Sequence, residues 1–498
     1  MDIKEIAKHI NVLCDNMVDE VAIINMLNAK LMHLMTFKGV KFESIDNLDR
    51  PMPPTYYAFN FVPSGGLKNK LLMEIDRLMP FCKEIIKKYN DTRLRELELK
   101  HYQELSGLSG AEEKALKREQ KMEKKAFKEL YWEVSDATQA SIYNSMEIIS
   151  NAGYGSMFLE NTEFANYFED AFINKDKNKK EFLDMLFNLY DGEFAGTNTM
   201  TTARKNIKGV SLSAGFMSDY KLIVESGNIS KAFKSYLIRG MARRSFIYFS
   251  DKMSCYTDKL EMSSYEARQE AIEALKHYSA ELEMIYDKVK HKGRYCFNAE
   301  ANNYINEYKS KVYERIRGFY RDTDYLDDDS EILKLTIQHS TWKIIKLAVL
   351  YHLLDNPESV LIKVESFKKA EKFFEDIYSC LESMVAKNSM SEYDKLYAFL
   401  VRNKNRWVNK TDLRNQKFVN SKDFGKWIES ALQEGAEKCA KKGLVMQARV
   451  CGATNRSYEI TIYDPKTYIF EQTEDIEGVG VKGELKKIDN SDRFLDEI

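Results

Sequence analysis

The stretch that decides the fold is Tyr56-Tyr-Ala-Phe-Asn-Phe-Val-Pro-Ser-Gly-Gly-Leu-Lys-Asn-Lys70. Its first part, up to Val62, is almost wholly apolar and follows a segment rich in proline, which favours a buried strand. The glycine pair Gly65-Gly66 ends the strand, and the apolar positions after Lys70 return to a period of about 3.6 residues. The stretch therefore predicts a strand, a tight turn and a helix.

The turn contains the residue types of a phosphate-binding loop. In such a loop, backbone N–H groups wrap a phosphate, a Lys reaches the outer phosphates, and a Ser or Thr holds magnesium. Leu67 replaces the usual Gly, and Asn69 replaces the hydroxyl residue, so Asn69 is the predicted Mg²⁺ ligand. A plain strand-to-helix turn beside a surface lysine is the alternative. The residues predicted to bind the nucleotide are Ser64, Gly65, Gly66, Lys68 and Asn69.

A second apolar run, Gly155–Phe164, ends in acidic residues. In a nucleotide hydrolase, a carboxylate at such a strand end orients magnesium, and a following Glu polarises the attacking water. We predict Glu160 as the metal ligand and Glu163 as the catalytic carboxylate, with Thr162 in place of the usual Asp. The alternative is a strand end with solvated acids.

Two further segments are candidates for contact with the phosphates. The apolar run 210–216 contains Ser211 and Ser213, either of which could sense the nucleotide; a buried core strand without such a role is the alternative. Arg243 and Arg244 precede another apolar run, and an Arg supplied to a neighbouring subunit's γ-phosphate stabilises the charge of the transition state. We predict that role for Arg243 or Arg244. Pairing of these arginines with carboxylates is the alternative.

Short apolar runs alternate with helical patterns, which predicts a predominantly helical α/β protein with a parallel sheet covered on both faces. No apolar run approaches the roughly 18 residues that cross a bilayer, and the N-terminus lacks a secretory signal, so we expect a cytoplasmic protein without membrane contact. The predicted domains are an N-terminal cap of amphipathic helices (1–50), a core (51–260) with a charged helical hairpin inserted at about 83–130, a helical domain (261–388), a basic module (389–465) and an acidic, disordered tail (466–498).

The basic module predicts nucleic-acid binding. Between Val401 and Arg456, 13 Lys and Arg face 5 Asp and Glu, about +8 in a chain whose net charge is -2. Three helical patterns followed by two alternating strands indicate a winged helix. Contact with another protein is the alternative. The residues predicted to contact DNA phosphates are Lys417, Lys422, Lys426, Arg449 and Arg456.

In their order, these motifs resemble an uncharacterised family of phage and mobile-element P-loop proteins that is associated with helicases and primases. The resemblance covers roughly residues 55–350. The strings that carry it are Pro63–Lys68, the charged hairpin, Trp132-Glu-Val-Ser-Asp-Ala-Thr138, Glu163, Tyr190-Asp-Gly192 with Arg204, the run 210–216, and Gly240 with Arg244.

The resemblance implies a RecA-like or AAA+-like P-loop core that binds ATP and Mg²⁺ and acts in phage DNA replication, in the host cytoplasm. The expected partners are DNA, further copies of the chain and other replication proteins. The predicted function is an ATP-dependent helicase, translocase or helicase loader. Because Leu67, Asn69 and Thr162 depart from the pattern, an inactive DNA-binding scaffold or origin-binding protein is the alternative. A protein-interaction adaptor is the third alternative.

Overall fold

A computed structural model describes most of the chain, and its described residues form two compact units, Met1–Val385 and Ala386–Ile498. Each unit has its own hydrophobic core. The residues outside the description are 45, 47, 49, 64–67, 107, 109, 136–137, 191–192, 195–206, 225–226, 251–262, 321–325, 390–395, 398, 402, 416–430, 434, 436–438, 441–442, 452–456, 475–481 and 488–498.

The first unit contains ten of the described strands. They are β1 (Lys41–Glu43), β2 (Tyr57–Val62), β3 (Glu133–Val134), β4 (Ser156–Asn161), β5 (Glu193–Phe194), β6 (Ile207–Lys208), β7 (Ser211–Asp219), β8 (Ser245–Phe249), β9 (Arg294–Phe297) and β10 (Leu361–Ile362). The main sheet is parallel throughout, with the order β3-β4-β7-β2-β8. The predicted α/β class is therefore confirmed.

Helices cover this sheet and extend beyond it. They are α1 (Ile3–Leu13), α2 (Glu20–Phe37), α3 (Lys68–Asp76), α4 (Pro80–Leu105), α5 (Ala111–Ala126), α6 (Gln139–Asn151), α7 (Phe164–Phe168), α8 (Lys177–Leu189), α9 (Tyr220–Val224), α10 (Gly227–Tyr236), α11 (Tyr265–Lys288), α12 (Ala299–Phe319), α13 (Asp328–Gln338), α14 (Ser340–Asp355) and α15 (Val364–Ser389), with π-helical turns at Glu169–Ile173 and Leu237–Met241. Among the described residues, no helix combines the length and apolarity that a membrane span requires.

Helix α2 lies at the centre of the first unit. Every residue from Ala22 to Phe37 is buried, because the helix packs on the main sheet on one side and against α14 on the other. The prediction of an amphipathic cap helix is therefore wrong for α2, whose neighbours enclose it. The predicted segments 1–50, 51–260 and 261–388 share one hydrophobic core.

A close backbone contact joins the end of α2 to the start of β4. A Cβ at Gly155 would lie 2.6 Å from both Gly39 Cα and Thr36 O, so neither neighbour can yield by a rotamer change. We expect Gly155→Ala to lower the free energy of unfolding by about 3 kcal/mol, measured by urea denaturation. Gly318→Ala is the matched control, since nothing lies within 4 Å of that position in α12. Equal stability of the two variants would contradict the contact.

A second stability prediction concerns Lys343 in α14, which is fully buried. Its Nζ donates to the carbonyl oxygens of Ala242 at 2.6 Å and Ser245 at 2.8 Å. Burial lowers the pKa of Lys343 from 10.5 to about 7. Between these two values the unfolded chain holds a proton that the folded chain lacks, so stability rises with pH.

We expect Lys343→Met to remove this rise, which amounts to on the order of 3 kcal/mol between about pH 7 and pH 9.5. The measurement is urea denaturation of parent and variant across that pH range. A difference in unfolding free energy between the two proteins that stays constant with pH would show that Lys343 does not titrate there.

The predicted charged hairpin is present as α4 and α5. The two helices run antiparallel: contacts join progressively later residues of α4 to progressively earlier residues of α5. His101 Nε2 lies 2.8 Å from Glu123 Oε2, and Lys124 Nζ lies 2.9 Å from Glu98 Oε1. Most of the hairpin surface is exposed, so these polar contacts and the buried pair His101 and Gln120 join the two helices, with Gln120 Nε2 donating to His101 O at 2.9 Å.

The second unit contains β11 (Val408–Asn409), a short helix α16 (Lys410–Asn415), β12 (Val445–Cys451) and β13 (Ser457–Tyr463), followed by β14 (Tyr468–Glu474) and β15 (Lys482–Lys487). The first three strands form an antiparallel sheet with the order β11-β13-β12. Strands β14 and β15 pair in the segment predicted as a disordered tail. Tyr468 and Phe470 of β14 and Leu485 of β15, which pairs with Phe470, are apolar positions. In an acidic segment, so few apolar residues did not indicate strands.

Candidate functional site

The candidate site lies at the carboxyl edge of the main sheet. Lys68 is the first residue of α3, which follows β2, and Glu163 is the N-cap residue of α7, which follows β4. Although 95 positions separate them, Lys68 Nζ lies 3.5 Å from Glu163 Oε1. The fold therefore brings together the predicted phosphate-binding lysine and the predicted catalytic carboxylate.

The two partners of this ion pair differ in exposure. The Lys68 side chain is 13% exposed and the Glu163 side chain 59% exposed, so the lysine is held while the carboxylate faces outward. Asn69, the predicted magnesium ligand, is exposed on α3. The other predicted nucleotide-binding residues, Ser64, Gly65 and Gly66, lie outside the described residues.

Asparagine and serine side chains position Glu163. Asn161 Oδ1 accepts a hydrogen bond from the Glu163 backbone N–H at 2.8 Å, and Ser218 Oγ accepts one from Ala165 N–H at 3.1 Å. Ser218 belongs to β7, so it ties the start of α7 to the neighbouring strand. Sequence reasoning missed Asn161 and Ser218. Small polar residues at strand ends are a signal for such turns, but only the strand register shows which turn they close.

Ser211 and Ser213 lie far from this edge. Both are in the amino-terminal half of β7, where the Ser211 backbone N–H bonds Gly155 O and Ser213 Oγ accepts from Tyr56 N–H. Ser213 precedes the end of the strand at Asp219 by six residues, about 20 Å at the usual strand rise. These buried positions match the alternative, a core strand, and do not suit the sensor role.

Glu160 is engaged by a buried lysine. Lys30 Nζ of α2 lies 2.7 Å from Glu160 Oε2 and 3.2 Å from Glu133 Oε2, and it also contacts Asp76. Burial acts to lower the pKa of Lys30, but the three carboxylates outweigh it and raise the pKa. Burial raises the pKa of Glu160, which Lys30 opposes. Magnesium binding by Glu160 remains a prediction, and it requires that the Glu160 carboxylate release Lys30 and bind the ion in its place.

Arg243 and Arg244 lie at the opposite, amino edge of the sheet, directly before β8. Arg244 Nη1 donates to Gly240 O at 3.2 Å. Gly240 has φ +137°, and a Cβ there would lie 3.0 Å from that same nitrogen, which explains the Gly-x-x-x-Arg spacing. The five residues of β8 place the arginines about 17 Å from the carboxyl edge.

The two arginines line a cavity of about 240 Å³. The Arg243 Nε is buried and has no hydrogen-bond partner among the described residues. Lys346, buried in α14, adds a third cation and donates to Thr55 Oγ1 at 2.7 Å. The cavity is therefore strongly positive. The other lining residues are Met52, Tyr190, His339 and Trp342.

In the second unit, Arg449 is occupied within its own sheet. Its Nε and Nη2 lie 2.8 Å and 2.7 Å from Glu459 Oε2, and its guanidinium lies 4.3 Å from the Trp407 ring centre. The Arg449 guanidinium, predicted to contact DNA phosphates, therefore contacts Glu459 and Trp407 of its own unit. The other predicted phosphate-binding residues, Lys417, Lys422, Lys426 and Arg456, lie outside the described residues.

The description of this site rests on the positions of its side chains, because the comparisons with known proteins add no relative. The chain matches no protein-family model and no curated protein. In the described part of the chain, no three His, Cys, Asp or Glu side chains are arranged to hold a metal ion. What the described residues show at this edge is a lysine and a carboxylate in contact, each directly after one of two parallel strands of the main sheet.

Proposed function

We propose that the chain is a P-loop DNA-replication protein, helicase-like or a helicase loader, that binds ATP at the carboxyl edge of its main sheet. The observation that carries this proposal is the contact between Lys68 and Glu163. These residues follow β2 and β4, and a lysine and a carboxylate at those two strand ends are the polar groups that nucleoside triphosphate hydrolysis needs.

The strand order supports the same proposal. Numbered one to five along the chain, the strands of the main sheet lie in the order 2-3-4-1-5. The chain leaves strand 1 towards one side of the sheet and later crosses to its other side, so the order reverses at strand 1. Ligands of open α/β sheets bind at such a reversal, beside the carboxyl ends of the strands.

In the proposed mechanism, Lys68 has two alternative partners. Without nucleotide it pairs with Glu163, and the phosphates of ATP, which bear more negative charge, would draw it away. Glu163 would then be free to polarise the attacking water. Asn161 keeps the Glu163 backbone in place during the exchange. Magnesium, predicted at Asn69 and Glu160, would supply charge neutralisation when bound.

Arg243 and Arg244 would act on a neighbouring subunit. They lie at the edge of the sheet opposite Lys68, so they cannot reach the nucleotide of their own chain. In a ring or filament, the amino edge of one subunit can face the carboxyl edge of the next. The proposed function therefore includes a homo-oligomer, and the cationic cavity would supply the arginine to the γ-phosphate.

DNA binding is proposed for the second unit. Its β11-β13-β12 sheet with helix α16 supports a winged helix, and the stretch from Val401 to Arg456 carries the excess of about +8. Charge of this kind binds DNA phosphates and weakens steeply with salt. Lys417, Lys422, Lys426 and Arg456 remain the proposed contacts. Arg449 is a weaker candidate because Glu459 already pairs with it.

The test is titration calorimetry of the full chain with ATP and Mg²⁺. We expect Lys68→Ala to weaken ATP binding by about 100-fold, because a charge-assisted contact with the phosphates is lost. Lys87→Ala, an exposed lysine of α4, is the control for the change in charge. A DNA-stimulated phosphate-release assay of the parent follows.

An inactive DNA-binding scaffold is the alternative, and Leu67, Asn69 and Thr162 favour it. It predicts no ATP binding by the parent at millimolar concentration while the chain still binds DNA. That result would contradict the ATPase proposal and leave the fold and the DNA-binding unit intact.

A further inference from the structure

A second cationic cavity, of about 360 Å³, opens at the amino edge of the main sheet between β4 and β7. Three cations line it: Lys41 of β1, Lys292 in the turn after α11, and Arg294 of β9. Its remaining walls include the turns that lead into β4 and β7, at Gly153 and Gly209. This cavity is distinct from the one that contains Arg243 and Arg244.

The glycine turns place backbone directly beside the ammonium groups. Gly153 and Gly209 both have φ +81°, a conformation that side chains disfavour. A Cβ at Gly209 would lie 3.5 Å from Lys41 Nζ, and a Cβ at Gly153 would lie 3.9 Å from Lys292 Nζ. The two ammonium groups therefore line an open space that no side chain from these turns fills.

The positive charge of this cavity is poorly compensated. Within the described part of the chain, Lys41 and Lys292 have no carboxylate within 4.0 Å, and Arg294 reaches only Glu43, at 4.0 Å. The pKa of the adjacent His291 is lowered, first by partial burial and then by the charges of Lys292 and Lys38. Three cations converging without a close counter-charge favour an anion between them.

We propose that this cavity binds phosphate groups of a nucleic-acid backbone. Arg294 is 72% exposed at its rim, and the positive charge continues over the surface through the exposed Lys290, so the charge follows an open track. A backbone needs such a track, whereas a free nucleotide needs an enclosed pocket for its base. This site goes beyond the proposed function, because it lies in the first unit and does not depend on ATP.

Amine-reactive footprinting of the full chain, read by mass spectrometry, tests the proposal directly. With a single-stranded DNA oligonucleotide, we expect Lys41 and Lys292 to react several-fold more slowly, while Lys114 and Lys121 of the exposed helix α5 react unchanged. Protection by inorganic phosphate without protection by DNA would overturn the nucleic-acid assignment. No protection by either would overturn the site. The reactivity of Lys422 and Lys426, measured in the same experiment, tests DNA binding by the second unit. Failure of one DNA-binding proposal can therefore be distinguished from failure of the other.

Charge removal gives an independent measurement. We expect Lys41→Gln/Lys292→Gln/Arg294→Gln to bind DNA about tenfold more weakly and to lower the dependence of affinity on salt by up to about one unit of slope per residue. The matched control is Lys114→Gln/Arg118→Gln/Lys121→Gln, which removes the same charge from α5. Lys292→Gln alone, at an exposed position, guards against loss of folding. A triple variant that behaves as the control does would overturn the proposal.

Discussion

Replacing Glu163 with glutamine is expected to slow DNA-stimulated ATP hydrolysis by about 10³-fold while ATP still binds. The amide cannot polarise the attacking water. It also cannot form the ion pair with Lys68, which the parent must break before the phosphates bind. The affinity for ATP should therefore equal or exceed that of the parent. Phosphate release and titration calorimetry measure the two quantities on the same preparation.

Glu169→Gln is the matched control, since Glu169 is an exposed carboxylate one short helix further along the chain. Its hydrolysis rate should equal that of the parent. Hydrolysis that survives in Glu163→Gln would exclude Glu163 as the catalytic carboxylate. Weaker ATP binding in that variant would instead contradict the exchange of Lys68 between Glu163 and the phosphates.

The second large effect is expected from Arg244→Ala, with a loss of at least about 10³-fold in hydrolysis. Arg239→Ala is the control, because Arg239 is an exposed arginine of the π-helical turn Leu237–Met241, which precedes Arg244, and it pairs with Asp184 at 2.8 Å. The same measurement on Arg243→Ala determines which of the two neighbouring arginines reaches the phosphate. Phosphate release per mole of ATP-bound protein is the readout.

A mixing experiment separates action in trans from a structural role. Glu163→Gln subunits keep Arg244, and Arg244→Ala subunits keep Lys68 and Glu163. At an interface between the two variants, one complete site can form, so a mixture should regain a substantial fraction of the parent's activity. A mixture as inactive as its components would contradict an arginine supplied by the neighbouring subunit.

Much of the fold could be predicted from local patterns. The strand that ends at Val62, the helix that begins at Lys68, the hairpin of α4 and α5, and the α/β class all follow from the periodicity of apolar residues. Helix α2 was assigned incorrectly because a helix enclosed on all sides has no polar face to mark its orientation. Strands β14 and β15 were missed because their apolar positions are few.

For the candidate site too, local patterns indicated some of the residues, whereas contacts between distant residues were not predicted. Residue types and spacing indicated Lys68 and Glu163 as candidates, because each follows a local strand pattern, but they did not indicate that the two side chains lie 3.5 Å apart. Nothing in the sequence indicated that Lys30 pairs with Glu160, or that Ser218 ties the start of α7 to β7. Lys30 and Glu160 are 130 positions apart along the chain, and Ala165 and Ser218 are 53 positions apart; no periodicity encodes such pairings.

By itself, the sequence determined most strands and helices of the first unit and where charge accumulates along the chain, since both depend on neighbours within a few residues. Only the tertiary structure decided which edge of the sheet each group occupies: Lys68 and Glu163 at the carboxyl edge, Arg244 and Lys292 at the amino edge. The physical reason is that distant crossovers set the direction and the order of the strands: because all five strands of the main sheet are parallel, a group that follows a strand lies at the carboxyl edge and a group that precedes one lies at the amino edge.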